Sequence, residues 1–261
     1  MADIADPMQA VLRWAHIVAG ILWIGHLYFF NWVNGPFAAT LDKAQKQKVV
    51  PELMPRALFW FRWGAAWTWI TGVLLMGLVF HSNRQMMFGA DPTAAWGMGA
   101  GLMVLLAIVA PIVYEPLSKA FAKNAQVFYF VGLLAVAAYL YGLARWAGLE
   151  SRASTIHVGA AFGTIMAWNV WFRIWPAQRK IIAAVKAGEA PDAALVALAG
   201  LRSRHNTFLS VPLVWAMINQ HTTGFSHYVS VVPGFAMLAA TALGWLFVAA
   251  MYKKAASLKG F

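Results

Sequence analysis

Seven predominantly apolar runs, near 10–33, 58–80, 94–114, 125–147, 155–175, 205–221 and 229–252, constrain this chain more than any other feature of its sequence. A hydrocarbon core about 30 Å thick takes roughly 20 apolar residues per crossing helix, and the runs match that length. Composition agrees, with 61% hydrophobic and 11% charged residues, 14 Trp in 261 positions and a mean hydropathy of +0.63. Those values do not describe a water-soluble domain. The expected fold is all-α, a polytopic membrane bundle of about seven helices forming one domain over residues 1–261. Met1 to Pro7 holds two Asp and no basic stretch ahead of the first run, so no cleaved signal is expected and that run stays as a helix.

Basic residues give the orientation. Lys43, Lys46, Lys48 and Arg56 follow the first run, Lys119 and Lys123 the third, and Arg179, Lys180, Lys186, Arg202 and Arg204 the fifth. With Arg62, Arg173 and the tail lysines Lys253, Lys254 and Lys259, one side carries 16 of the 20 basic residues. Arg13, Arg84, Arg145 and Arg152 share the other side. The positive-inside rule then predicts the N-terminus outside and the C-terminus in the cytoplasm, as an odd helix count requires. Basic loops beside anionic headgroups account for the formal charge of +11, and no nucleic-acid partner is implied.

There is no cysteine. Disulfides, covalent haem c of the C-x-x-C-H type and thiolate iron–sulfur ligation are thereby excluded within this chain. Between the fifth and sixth runs, Arg179 to Ala187 has helical apolar spacing, Gly188 breaks it and Pro191-Asp192 restarts it. Segment 179–201 is expected to be two short amphipathic helices on the cytoplasmic surface. A faint internal repeat lays His16-Ile17 over His157-Val158, which would set those two histidines at equal depth.

Five of the seven histidines, His16, His81, His157, His221 and His227, fall at or near the outer ends of the runs, so one membrane face collects imidazoles. His26 lies about 15 Å deeper than His16 at 1.5 Å per residue, and His205 opens the sixth run from the cytoplasmic side. Ionisable groups inside a bilayer are costly and usually face a site or a partner, which makes His16 and His26 functional candidates. The structural alternative is a neutral imidazole donating to a carbonyl or hydroxyl on a neighbouring helix. For His81 and His227 it is plain hydration at the interface. Haem b suits imidazole pairs on neighbouring helices with Gly and aromatic positions forming a flat slot. Copper and zinc also suit imidazole, although no H-x-x-x-H or H-E-x-x-H spacing builds a compact metal site.

A second constellation is cytoplasmic. Arg202, Arg204, His205 and Asn206 crowd the start of the sixth run, and its far end carries Asn219, Gln220 and His221. A run of about 16 residues with Ser210, Pro212 and polar ends is suited to lining a cavity. Phe59, Trp60, Phe61 and Trp63 surround Arg62 and read first as an interfacial aromatic belt. Glu115 is the only acidic residue close to a helix interior; a proton relay and an ion pair with Arg are the two readings, and pairing with Arg is expected.

The stretch His157-Val158-Gly159-Ala160-Ala161-Phe162-Gly163-Thr164-Ile165-Met166-Ala167-Trp168-Asn169-Val170, followed by Pro176-Ala177-Gln178-Arg179 and Arg202-Ser203-Arg204-His205-Asn206-Thr207-Phe208-Leu209-Ser210-Val211-Pro212, resembles the membrane domain of the bacterial cytochrome c-linked urate oxidase (urate hydroxylase) family. Trp14 to Gly25 and Trp67-Thr68-Trp69-Ile70-Thr71-Gly72 are similar to it as well, so the resemblance spans nearly the whole chain. It implies oxidation of urate to 5-hydroxyisourate in a bacterial inner membrane, with electrons leaving outward. It also implies an eighth helix and a C-terminal cytochrome c domain that this sequence does not contain. Electrons are therefore expected to leave through a separate cytochrome c or another redox membrane subunit. His16, His157, Asn169, Arg204, His205, Asn206 and His221 match family positions in place. The outer histidines His16, His157 and His221, with His81 and His26, are expected to hold haem or its iron. Arg204, His205, Asn206 and Asn169 are expected to contact an anionic or planar substrate. Two function classes follow: a haem-binding enzyme acting on a urate-like molecule, or a nonenzymatic accessory or electron-transfer subunit of a larger respiratory or photosynthetic complex.

Overall fold

The computed structural model describes residues 5–91, 93–219 and 234–258, and every regular element among them is helical. Ten α-helices follow in chain order: α1 (Ala5–Tyr28), α2 (Gly35–Thr40), α3 (Lys43–Leu75), α4 (Arg84–Phe88), α5 (Met98–Ala120), α6 (Ala125–Tyr141), α7 (Ser151–Asn169), α8 (Trp175–Lys186), α9 (Ala193–Ile218) and α10 (Phe235–Ser257). Four π-helical turns, Phe29–Asn34, Met76–His81, Gly142–Trp146 and Val170–Ile174, extend α1, α3, α6 and α7. Among the described residues, five spans are long and apolar enough to cross a membrane: Asp6–Thr40, Lys43–His81, Met98–Ala120, Ala125–Trp146 and Phe235–Ser257. At 19 and 26 residues α7 and α9 have the length, but their Ser, Thr, His, Asn and Arg residues keep them out of that set.

Two helices begin well before their hydropathy runs. The segment expected to join the first two runs is mostly helix, because α3 starts at Lys43 rather than near 58. Its start is fixed by a reciprocal cap in which the Gln45 amide donates to Asp42 Oδ1 at 2.8 Å and the Asp42 amide donates to Gln45 Oε1 at 2.8 Å. The sixth run likewise begins earlier. Asp192 Oδ1 accepts from the Ala194 amide at 2.8 Å, and α9 then continues without a break to Ile218, so the second surface helix and the sixth run are one helix. Nothing between Leu201 and His205 interrupts a helical backbone, and Arg is a good helix former. The break at Gly188 is present: α8 ends at Lys186, and Gly188 has φ +77°, a conformation that an L side chain resists. The expected end of the sixth run at 221 and start of the seventh at 229 lie outside the described residues.

The chain divides into two compact units. The first comprises Met1–Leu12, Gly72–Ile165 and Leu209–Trp245, and the second Arg13–Thr71, Met166–Phe208 and Leu246–Phe261. Within the first, Ala107 and Ala110 of α5 pack with Ala161 of α7, and the small side chains leave room for Tyr139, whose hydroxyl donates to the Met103 carbonyl at 2.8 Å. Short α4 buries Met87 and Phe88, and the Glu150 amide donates to the Met87 carbonyl at 2.8 Å, pinning the entrance of α7.

Within the second unit, α1 and α3 touch at backbone distance. A Cβ on Gly64 would stand 3.0 Å from the Trp23 nitrogen and 3.2 Å from the Ala19 carbonyl oxygen, so a side chain there would have to push the two backbones a few tenths of an ångström apart. Trp23, Leu27, Phe61 and Ala65 fill the space around it and are buried. The same close approach sets the positions of Asn31 and Arg62 further along the two helices.

Candidate functional site

The first unit brings two of the expected histidines together. His157 stands on α7, 1% exposed, inside an unbroken buried stretch from Ala153 to Gly159. His81 ends the π-helical turn Met76–His81 and is half-buried. Their Nε2 atoms lie 3.2 Å apart. The ring centroids are 5.4 Å apart with planes inclined at 28°, little more than the Nε2 separation plus the two ring radii. The imidazoles therefore meet tip to tip.

Their tautomers follow from the partners. His157 Nδ1 lies 2.6 Å from the Ala153 carbonyl oxygen. A carbonyl only accepts, so Nδ1 carries the proton and a neutral His157 presents its Nε2 lone pair to His81. His81 Nε2–H donates to that lone pair when both rings are neutral. His81 forms no other hydrogen bond among the described residues; instead Trp96 packs its edge against the His81 ring with centroids 5.7 Å apart at 83°. Trp96 is itself 46% exposed and braced edge-on by Phe88. A line of rings thus runs from buried His157 through His81 to an exposed indole.

His16 and His26 belong to the second unit and have other partners. His16 Nδ1 lies 3.1 Å from Thr71 Oγ1, while Thr71 gives its single hydroxyl proton to the Trp67 carbonyl at 2.6 Å. His16 must therefore donate from Nδ1, leaving its Nε2 as a lone pair. His26 Nδ1 donates to the Leu22 carbonyl one turn earlier at 2.7 Å, with the same result. A ligating histidine characteristically gives its other ring N–H to a carbonyl or a similar acceptor, and all three rings hold that tautomer.

The second unit also closes a network of amides and hydroxyls. Asn169, the last residue of α7, donates from Nδ2 to Asn206 Oδ1 at 2.8 Å, and Asn206 Nδ2 donates to the Met166 carbonyl at 3.0 Å. Both asparagines are 0% exposed, so this bridge locks α9 to the end of α7. Asn31, inside the π-helical turn Phe29–Asn34, donates to the Leu27 carbonyl at 2.9 Å and to Ser203 Oγ at 2.8 Å, and accepts from the Tyr252 hydroxyl at 2.8 Å. Tyr252 stacks on Phe208 at 6.1 Å, and the exposed Arg204 guanidinium lies over its ring at 4.7 Å.

Of the Arg-His-Asn group, Arg204 thus lies on Tyr252, Asn206 joins Asn169, and His205 is buried on α9. His221 and His227 lie outside the described residues. Asn31, Thr71, Trp96, Ser203 and Tyr252 were not singled out in the sequence. Asn31 carried a usable signal, a lone amide inside an apolar run, whereas Tyr252 was masked by the lysines that follow it. Among the described residues, no group of three or more His, Asp or Glu is placed to hold a bare metal ion.

A family model described as urate oxidase N-terminal matches residues 38–259, well over half of the chain. No curated protein matches, and no solved structure matches.

Proposed function

Since the chain belongs to the urate oxidase N-terminal family, we propose that it is a multi-pass redox protein of the bacterial inner membrane that binds haem b between His81 and His157. In this reading it oxidises urate or a similar purine and gives the electrons to a separate cytochrome c. The facing imidazole pair is the observation that carries the proposal.

The residues fit the group. His81 and His157 would hold it through their facing Nε2 atoms, 3.2 Å apart, and His81 is restrained by no second hydrogen bond among the described residues. The Ala153 carbonyl fixes the His157 tautomer that a ligand needs. Gly77, one turn before His81, has nothing within 4 Å of where a Cβ would stand, which suits the approach of a flat macrocycle. Bound haem supplies a one-electron carrier. The chain's own residues hold the two rings, and Trp96 covers the exposed side of His81.

The family membership supports urate as substrate. Oxidation to 5-hydroxyisourate adds the oxygen of one water and releases two protons and two electrons, so two one-electron acceptors are reduced per turnover.

The test is a reduced-minus-oxidised spectrum and a pyridine haemochrome assay on the chain purified in mild detergent, repeated for His81→Ala, His157→Ala and His26→Ala. A b-type band lost in the first two and kept in the third is expected, followed by urate-dependent reduction of added cytochrome c. A folded preparation without haem refutes the redox reading and leaves the nonenzymatic accessory role.

A further inference from the structure

Two arginines of the second unit share one indole. The Arg62 guanidinium carbon lies 4.0 Å from the centre of the Trp175 ring and 5.7 Å from that of Phe59. Arg179, one helical turn beyond Trp175, places its own guanidinium carbon 5.9 Å from the same indole. The geometry is held from behind, because Trp171 Nε1 donates to the Arg62 carbonyl at 3.1 Å and the Trp171 ring meets Trp63 edge-on at 5.5 Å.

Cation–π contact orients a guanidinium but leaves its charge in place. Arg56 pairs with Glu52 and Lys119 with Glu115, whereas neither Arg62 nor Arg179 is in an ion pair among the described residues. Arg62 Nε is in addition buried without a hydrogen-bond partner. Two like charges on one ring, neither met by a carboxylate, are what an anion completes, and a guanidinium fork matches the paired oxygens of a phosphate. The surroundings set the kind of phosphate. Phe59, against the Arg62 guanidinium, is 44% exposed, and Trp60, Trp63 and Phe172, neighbours in sequence of Arg62 and Trp171, are 52%, 40% and 55% exposed, apolar rings suited to acyl chains. The helix carrying Arg179 is amphipathic, with Arg179 and Lys180 exposed and Ala177 buried.

We propose that Arg62, Trp175 and Arg179 form a binding site for the phosphodiester headgroup of an anionic phospholipid, with Phe59, Trp63 and Phe172 along its chains. The proposal rests on the membrane reading and is independent of haem. Near an anionic surface each guanidinium contributes about fivefold in affinity. The full chain in detergent, presented with equal amounts of phosphatidylglycerol and phosphatidylcholine and observed by native mass spectrometry, is expected to retain phosphatidylglycerol preferentially. Arg62→Gln with Arg179→Gln should weaken that adduct about 25-fold, and Arg179→Gln alone, at an exposed position that does not endanger folding, about fivefold. Arg56→Gln, whose charge Glu52 already meets, should leave it unchanged. An unaltered phosphatidylglycerol preference in Arg179→Gln and the double variant overturns the site. Inorganic phosphate displacing the lipid as readily as phosphatidylglycerol itself assigns the arginines to a soluble anion and overturns the lipid assignment. Haem content is expected to stay at the unsubstituted level in every variant, so failure here and failure of the redox proposal read out separately.

Discussion

The histidine pair of the first unit and the asparagine network of the second both set buried polar groups on helices, yet they are bonded in opposite ways. Asn206 uses its carbonyl on Asn169 and its amide on Met166, and Asn31 makes three hydrogen bonds to three partners. Each of these groups answers another, which is how a buried polar network becomes rigid. His81 and His157 instead point their Nε2 atoms at one another, and His81 has no further hydrogen bond among the described residues. The asparagine bonds tie helices together through several partners, whereas His81 is held by its single hydrogen bond to His157, which a shared ligand would replace.

The largest test of that contrast is Asn206→Ala. It strips partners from Asn169 and from the Met166 carbonyl, each buried, at about 1–3 kcal/mol per unsatisfied group. A loss of about 3 kcal/mol in thermal or denaturant unfolding is expected, with haem per folded molecule unchanged. A haem content that falls while stability holds would break the contrast. Tyr252→Phe should cost less, about 1 kcal/mol, because it removes one donor and keeps the ring stacked on Phe208. A cost near zero would mean that Asn31 is held by its other two bonds alone.

The smallest effect belongs to the loop that carries Trp96. There the Thr93 hydroxyl and amide donate to Asp91 Oδ1 at 2.7 and 2.8 Å and hold its carboxyl below the ordinary 3.8. A lowered folded-state value means that this contribution is complete above 3.8 and is lost as pH falls through the lower folded value. Exchange protection of the Thr93 amide, corrected for intrinsic rate, should therefore hold at pH 5, fall at more acidic pH and be absent in Asp91→Ala at pH 7. Protection that persists in the variant would show that the loop is held without the carboxylate.

The sequence made the helices legible because hydropathy is summed over many residues, while their ends were misread where hydropathy and helicity part company. Lys43 to Lys48 are too polar for a membrane run but are good helix formers, and the cap at Asp42 and Gln45 starts α3 some fifteen residues before the apolar stretch. Arg202 and Arg204 likewise set the start of the sixth hydropathy run near 205, although α9 is already helical from Ala193. At the site, the residue types were legible and the pairings were not. Depth and a weak repeat set His16 and His157 at equal depth, and neither signal indicates that the ring meeting His157 is that of His81, 76 positions away in sequence. A one-residue π insertion rotates everything beyond it, and the turns at Phe29–Asn34, Met76–His81 and Val170–Ile174 hold or adjoin Asn31, His81 and Asn169. No hydropathy scale registers such an insertion.

By itself the sequence determined that the fold is helical, that repeated apolar runs have the length to cross a bilayer, seven as read from hydropathy against five that meet that standard among the described residues, and that no thiol chemistry occurs within the chain. These follow from composition and local periodicity, which neighbouring residues settle among themselves. Only the tertiary structure decided that His81 faces His157, that Asn169 is tied to Asn206, and that Arg62 and Arg179 share Trp175. Each of those contacts joins residues on different helices or across a helical turn, and side-chain direction there depends on helix rotation, which packing fixes and sequence spacing does not.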